Sequence, residues 1–189
     1  MSPDIANNAY QMPDRIFKTS THTPAHLFLA NAIYMITGAT YKKLSIMKTE
    51  ARKSEWSSSF IIASEVYGWD VVAWVVLDNH YHVIVKAPEH SAGNLPKYVG
   101  SFHKFTARRW NDEDNAIGRK VWWNYWDTCV RSEQDFINRL KYVYWNPIKH
   151  GIADRPDEYM HSNYSAFLKA NFFNENFRFA DEVNDVPEF

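Results

Sequence analysis

A chain of 189 residues is close to the usual length of one domain, and 46% hydrophobic residues with 8 Trp, 11 Tyr and 12 Phe exclude a disordered or collagen-like protein. The single Cys129 can form no internal disulfide and points to a reducing compartment, the cytoplasm being the simplest. No stretch approaches 18 consecutive apolar residues, and the opening MSPDIANNAY has neither a basic nor an apolar leader region, so the chain is expected neither to span a membrane nor to be secreted. The formal charge of -1 is unevenly spread: residues 171–189 hold five acids against Arg178, so this acidic tail carries -4 and the remainder +3.

Taken in chain order, residues 1–25 are polar with three prolines and read as a loosely held arm, followed by one domain over 26–170 and the acidic tail over 171–189. The run AIYMITGAT at 32–40 is short and β-branched enough for a strand, and residues 50–67 place Trp56, Phe60, Ala63 and Tyr67 at helical spacing. Two apolar runs, 71–77 and 80–85, flank Asp78-Asn79, whose side chains tolerate positive φ, so a tight hairpin is predicted. A helix over 96–110, a strand over 121–130 and a helix from Ser132 to about Lys149 follow, the last with Ser132 as N-cap and Gly151 after its end. Strands joined by hairpins and helices without regular βα alternation predict an α+β fold with an antiparallel sheet, and a ferredoxin-like split βαβ arrangement fits best.

Four patterns bear on chemistry. Alternate strand residues share a face, so His80 and His82 point the same way, roughly 7 Å apart. Taken alone, this pattern is better explained by half-buried histidines than by a metal site. Tyr142 and Asn146 are four apart and stack on one helix face, provided the helix passes Asn146 despite the following Pro147; Tyr144 falls on another face, as a core residue would. Lys97, Ser101, Lys104 and Arg108 form one stripe, with Arg109 beside it, that reads equally as a phosphate track or a solvated face. The aromatic strand puts Trp123 and Tyr125 on one face and Trp122 and Trp126 on the other, and exposed rings there would suit stacking on unpaired bases.

The strings WVVLDNHYHVIV, FHKFTARRWN, GRKVWWNYWDTCVRSEQDF and RLKYVYWNPIKHG, in this order, with a closing EYMHSNY, resemble the single-tyrosine HUH transposases, and among them the REP-associated tyrosine transposases. The resemblance runs from about residue 29 to 164, with NPIKHG its most specific string; Trp123 and His161 depart from the usual pattern. It implies a DNA strand transesterase in which Tyr142 is the nucleophile and His80, His82 and Asn146 hold Mg2+ or Mn2+; for such an enzyme the cationic stripe and the aromatic strand make Lys97, Lys104, Arg108, Arg109 and Trp123 the candidate DNA contacts. The implied partner is single-stranded or hairpin DNA, cleaved and rejoined through a 5′-phosphotyrosine by a monomer or homodimer in the bacterial cytoplasm, at the nucleoid. Chemistry explains the metal: a phenol with pKa near 10 is only about one part in a thousand phenolate at neutral pH, so phosphodiester attack needs a polarised phosphate. Two rivals are a catalytically silent hairpin-binding protein of the same fold, which would lack the nucleophile or a ligand, and a metallohydrolase using HxH to activate water, for which no further ligand cluster is present.

Overall fold

In the computed structural model, which describes residues 17–20 and 23–169 with side chains from residue 28, chain order already follows the split βαβ plan. The elements are β1 (Phe17–Ser20), β2 (Thr23–Leu27), β3 (Ile33–Thr40), α1 (Glu50–Tyr67), β4 (Asp70–Val76), β5 (His80–Lys86), α2 (Leu95–Glu113), β6 (Trp122–Cys129), α3 (Glu133–Lys149) and α4 (Tyr164–Lys169). Strands β3 to β6 form one antiparallel sheet in the order β4-β5-β3-β6, so β5 inserts between β3 and β4, as in ferredoxin-like folds. β1 and β2 pair as a separate hairpin, which begins in the stretch read from the sequence as an arm, residues 1–25, and runs past its end to Leu27. The acidic tail lies outside the described residues. None of the described helices is long and apolar enough to cross a membrane.

The helix boundaries follow local chemistry. The Thr49 hydroxyl accepts the Arg52 amide and starts α1, and Gly68, at φ 72°, ends it in a left-handed turn that a side chain would disfavour. Ser132 caps α3 by accepting the Asp135 amide, with Glu133 and Asp135 at the positive end of the helix dipole. Pro147 is accommodated inside the last turn of α3, so the helix carries Asn146 and runs on to Lys149. Pro147 has no amide to offer the Val143 carbonyl four residues earlier, so the last turn lacks one intrahelical bond.

Period-2 alternation gives the sheet two buried faces. Tyr34, Ile36, Tyr81, Val83 and Val85 meet Trp56 and Phe60 of α1 and Tyr98, Phe102 and Trp110 of α2. On the opposite face Met35, Ala73, Val75 and Ile84 meet Leu140, Val143 and Tyr144 of α3. The histidines of β5 therefore lie on the α3 face. Gly38 stands opposite Tyr81, whose ring lies across it, so a Cβ at that position would overlap the phenol. The Tyr81 hydroxyl pairs with His103 Nε2 at 2.8 Å, and the His103 ring stacks on Trp122 with centroids 4.3 Å apart.

One expectation about faces is corrected. The pairing of β3 with β6 steps from Gly38–Tyr125 to Thr40–Trp122, three residues on β6 against two on β3, which is a bulge. The extra residue reverses the alternation. Trp122 and Tyr125 therefore both turn toward the α1–α2 core, while Trp126 stands on the α3 face, so Trp122 and Trp126 do not share a side.

The closing EYMHSNY string clasps the free edge of β4. The Val76 amide donates to the His161 carbonyl, Asn163 accepts the Trp74 amide at 2.7 Å and donates to the Val72 carbonyl at 3.0 Å, and His161 Nε2 pairs with Glu50. An edge strand that would otherwise offer unpaired amides is thereby covered.

Candidate active site

The hairpin turn sets the orientation of His80. Leu77 and His80 close it through an amide-to-carbonyl bond of 2.8 Å, and Asn79 at its tip is held in one orientation because its Nδ2 donates to the Lys43 carbonyl at 3.1 Å. Asn79 Oδ1 then faces His80 Nδ1 at 2.6 Å and can only accept. His80 thus carries its proton on Nδ1, leaving a lone pair on Nε2. That nitrogen faces Asn146 Oδ1 at 3.1 Å. Two acceptors at this separation repel unless a cation lies between them; turning the amide would let Nδ2 donate instead and strand the oxygen. In either orientation one polar atom of Asn146 lacks a partner, and as placed it is the buried Nδ2.

His82 repeats the pattern one step along the strand. Its Nδ1 lies 2.7 Å from the Thr37 hydroxyl on β3, directly across the ladder, and its Nε2 is buried with no hydrogen-bond partner. The ring is only 3% exposed. The His80 and His82 rings meet edge to face with centroids 5.1 Å apart. Burial pushes His80 down to about 4 and His82 well below the usual imidazole range, with Lys43, Lys149 and His150 adding positive charge around the pair. Both rings are therefore neutral at physiological pH, the form that binds metal. The orphaned His82 Nε2, the lone pair on His80 Nε2 and the facing amide oxygen fit a divalent cation. Among the described residues no group of three His, Cys, Asp or Glu is arranged to hold a metal, so such an ion would rely on the amide as its third protein ligand.

The helical stripe of α3 supplies the nucleophile candidate. The Tyr142 ring packs edge to face on His82 with centroids 4.8 Å apart, and Lys149 Nζ lies 5.8 Å from the Tyr142 centroid. The same i, i+4, i+8 spacing brings the His150 ring to within 5.0 Å of His80. Sequence reasoning did not single out His150, Thr37 or Lys149: His150 could have been found by extending the Tyr142–Asn146 stripe by one turn, whereas Thr37 needs the strand register. The other tyrosines are elsewhere. Tyr144 is buried, bonds Asn163 and is pushed up in pKa by burial, and Tyr125 is turned to the opposite face of the sheet.

The cationic stripe does not join this cluster. Lys97, Lys104, Arg108 and Arg109 are exposed on α2, which packs on the other face of the sheet. Arg109 is committed to Glu55 at 2.7 Å and Glu113 at 3.3 Å. Lys104 and Arg108 have no acidic partner among the described residues but share their surface concavity with Asp112 and Glu113. Trp123 is exposed as expected, yet Tyr41 packs against its ring and Lys120 Nζ sits 4.2 Å from its centroid.

No protein-family profile matches the chain. It is 28% identical over 123 residues to an Escherichia coli K12 protein named as a REP-associated tyrosine transposase, covering 64% of this chain and 67% of that one. A Haemophilus influenzae protein assigned by name to the same group is 25% identical over 136 residues, covering 65% and 74% respectively. The solved structure of a REP-associated tyrosine transposase bound to a REP hairpin superposes with a TM-score of 0.66 at 17% identity, over 85% of this chain and 92% of that one.

Proposed function

Because the chain is a sequence relative of the REP-associated tyrosine transposases and shares the fold of one of them, we propose that it is a metal-dependent HUH endonuclease and transposase that cuts and rejoins single-stranded DNA at hairpin sequences. In this reading the Tyr142 oxygen attacks the scissile phosphorus, the bond from phosphorus to the 3′-oxygen breaks, and the protein keeps a 5′-phosphotyrosine. The phenol gives up a proton and the departing 3′-oxygen gains one, so the step is balanced without a co-substrate. Attack by a 3′-hydroxyl reverses it and reseals a strand without ATP. A divalent ion, Mg2+ or Mn2+, held by His80 Nε2, His82 Nε2 and Asn146 Oδ1 would supply Lewis-acid polarisation of the phosphate. Imidazole ligands favour Mn2+ over Mg2+.

The chain's own groups have distinct tasks. Asn79 holds the His80 proton on Nδ1, away from the site, and the Thr37 hydroxyl engages His82 Nδ1 so that its Nε2 is the nitrogen turned to the site. The packing of Tyr142 on His82 keeps the phenol beside the ligands, and Lys43 and Lys149 make the surroundings cationic, which favours a phosphate. The observation that carries the reading is the convergence of Tyr142, His82, His80 and Asn146, from two distant strings, on one face of the sheet. It favours catalysis over silent binding, since a hairpin-binding protein has no use for neutral, lone-pair-bearing histidines beside a tyrosine.

The test is a denaturing gel of protein incubated with a labelled hairpin carrying a single-stranded flank and Mn2+ or Mg2+. A covalent adduct is expected in the wild type, abolished by EDTA and by Tyr142→Phe. Undiminished adduct in Tyr142→Phe, or in EDTA, refutes the assignment.

A further inference from the structure

The α3 face of the sheet is covered unequally. Helix α3 packs against β4 and β5 and reaches Met35 of β3, whereas on the outer strand β6 of the same face Trp126 and Thr128 are exposed. Val75, His82, Thr37 and Trp126 stand side by side across the four strands. Neighbouring strands are about 4.8 Å apart, so two steps put Trp126 about 10 Å from His82, within reach of the nucleotide next to a phosphate held at the histidines. The indole is 46% exposed. Of the three tryptophans on β6, Trp122 is buried in the α1–α2 core and Trp123, though 44% exposed, already has Tyr41 and Lys120 packed on its ring, while no ring or cation among the described residues lies on Trp126. The bulge between Trp122 and Tyr125 is what turns Trp126 to this side.

We propose that Trp126 is the base-stacking platform of the site, taking an unpaired base that flanks the scissile phosphate while the strand lies across β3 and β6. The inference rests on the proposed strand-cleaving function. Its occupant follows from continuity with the catalytic row and from charge: the shelf adjoins a site that feels the charges of Lys43 and Lys149, which suits a phosphate backbone, and an exposed indole offers a π-face to any base. A platform beside the nucleophile would hold the strand in register without reading its sequence.

The experiment uses the full chain and a synthetic DNA hairpin with a single-stranded flank, carrying 2-aminopurine at each flank position in turn. Wild-type protein should quench the probe at one position beside the cleaved bond, and Trp126→Ala should abolish that quenching while Trp126→Phe retains most of it. Affinity of Trp126→Ala for the flanked hairpin should fall about 5- to 150-fold, equivalent to roughly 1 to 3 kcal/mol, with binding of the unflanked hairpin unchanged. If the wild type forms the Tyr142 adduct but Trp126→Ala binds and quenches as the wild type does, the platform is overturned and the cleavage reading stands. Equal loss on flanked and unflanked hairpins also overturns it. A wild type that neither binds the flanked strand nor forms an adduct refutes the cleavage reading and this inference with it.

Discussion

Replacing Thr37 by Val keeps the shape of the side chain and removes one hydroxyl, the group that meets His82 Nδ1 at 2.7 Å. The ring is 3% exposed, so water does not replace the lost partner. A buried donor left unsatisfied costs about 1–3 kcal/mol, which in a chain of this size lowers the melting midpoint by roughly 2–12 °C. The protein can relieve part of that cost by moving the imidazole proton to Nε2, the nitrogen that faces the site. This tautomer cannot bind a cation, so binding must first reverse it. Loss of such a supporting contact typically weakens metal affinity about 10- to 100-fold, or about 1.4–2.8 kcal/mol, which falls within the range set by the lost hydrogen bond. Calorimetric titration of the purified protein with Mn2+, with melting curves on the same samples, reads both quantities. Thr37→Ser keeps the hydroxyl and should retain near wild-type affinity. Wild-type Mn2+ affinity in Thr37→Val refutes the claim that this hydroxyl holds His82 ready for the ion.

Gly38→Ala puts a methyl group into the Tyr81 ring and should destabilise the fold by about 1–3 kcal/mol, measured by urea denaturation; an unchanged midpoint would mean that the ring moves freely. His103 is half-buried and desolvation pushes it down to about 3, so its folded-state pKa lies below the ordinary 6.5: it contributes stability fully above about pH 6.5, and this is lost as pH falls from there through about 3. Its contribution is on the order of a few kcal/mol, and His103→Gln, which cannot ionise, should flatten the acid side of the stability profile; an identical slope refutes the assignment. Replacing Lys104 and Arg108 together by Ala should weaken hairpin binding and reduce the salt slope by about 1–2, with the fraction of bound strand converted to adduct unchanged because α2 lies on the other face of the sheet. An unchanged salt slope would leave that helix a solvated face.

Local order was legible in the sequence wherever the chemistry is local. The spacing of Trp56, Phe60, Ala63 and Tyr67 marks α1 with its ends correct, Asp78-Asn79 marks the hairpin, and Ser132 marks the start of α3, because caps, turns and amphipathic periods depend on neighbours within a few residues. The pairs His80–His82 and Tyr142–Asn146 were legible for the same reason, each within a single element. What the sequence by itself does not determine is that the two pairs face each other, since that depends on α3 crossing the side of the sheet opposite α1 and α2. Nor does it reveal Thr37, whose contact with His82 is set by strand register, or the bulge in β6, where one extra residue reverses which tryptophan reaches the face that carries the histidines. The α2 stripe shows the converse: helical spacing gathers Lys97, Lys104 and Arg108 correctly, and tertiary packing alone puts them on the layer away from the histidines. Periodicity fixes which side chains of one element travel together, and long-range packing fixes what they meet.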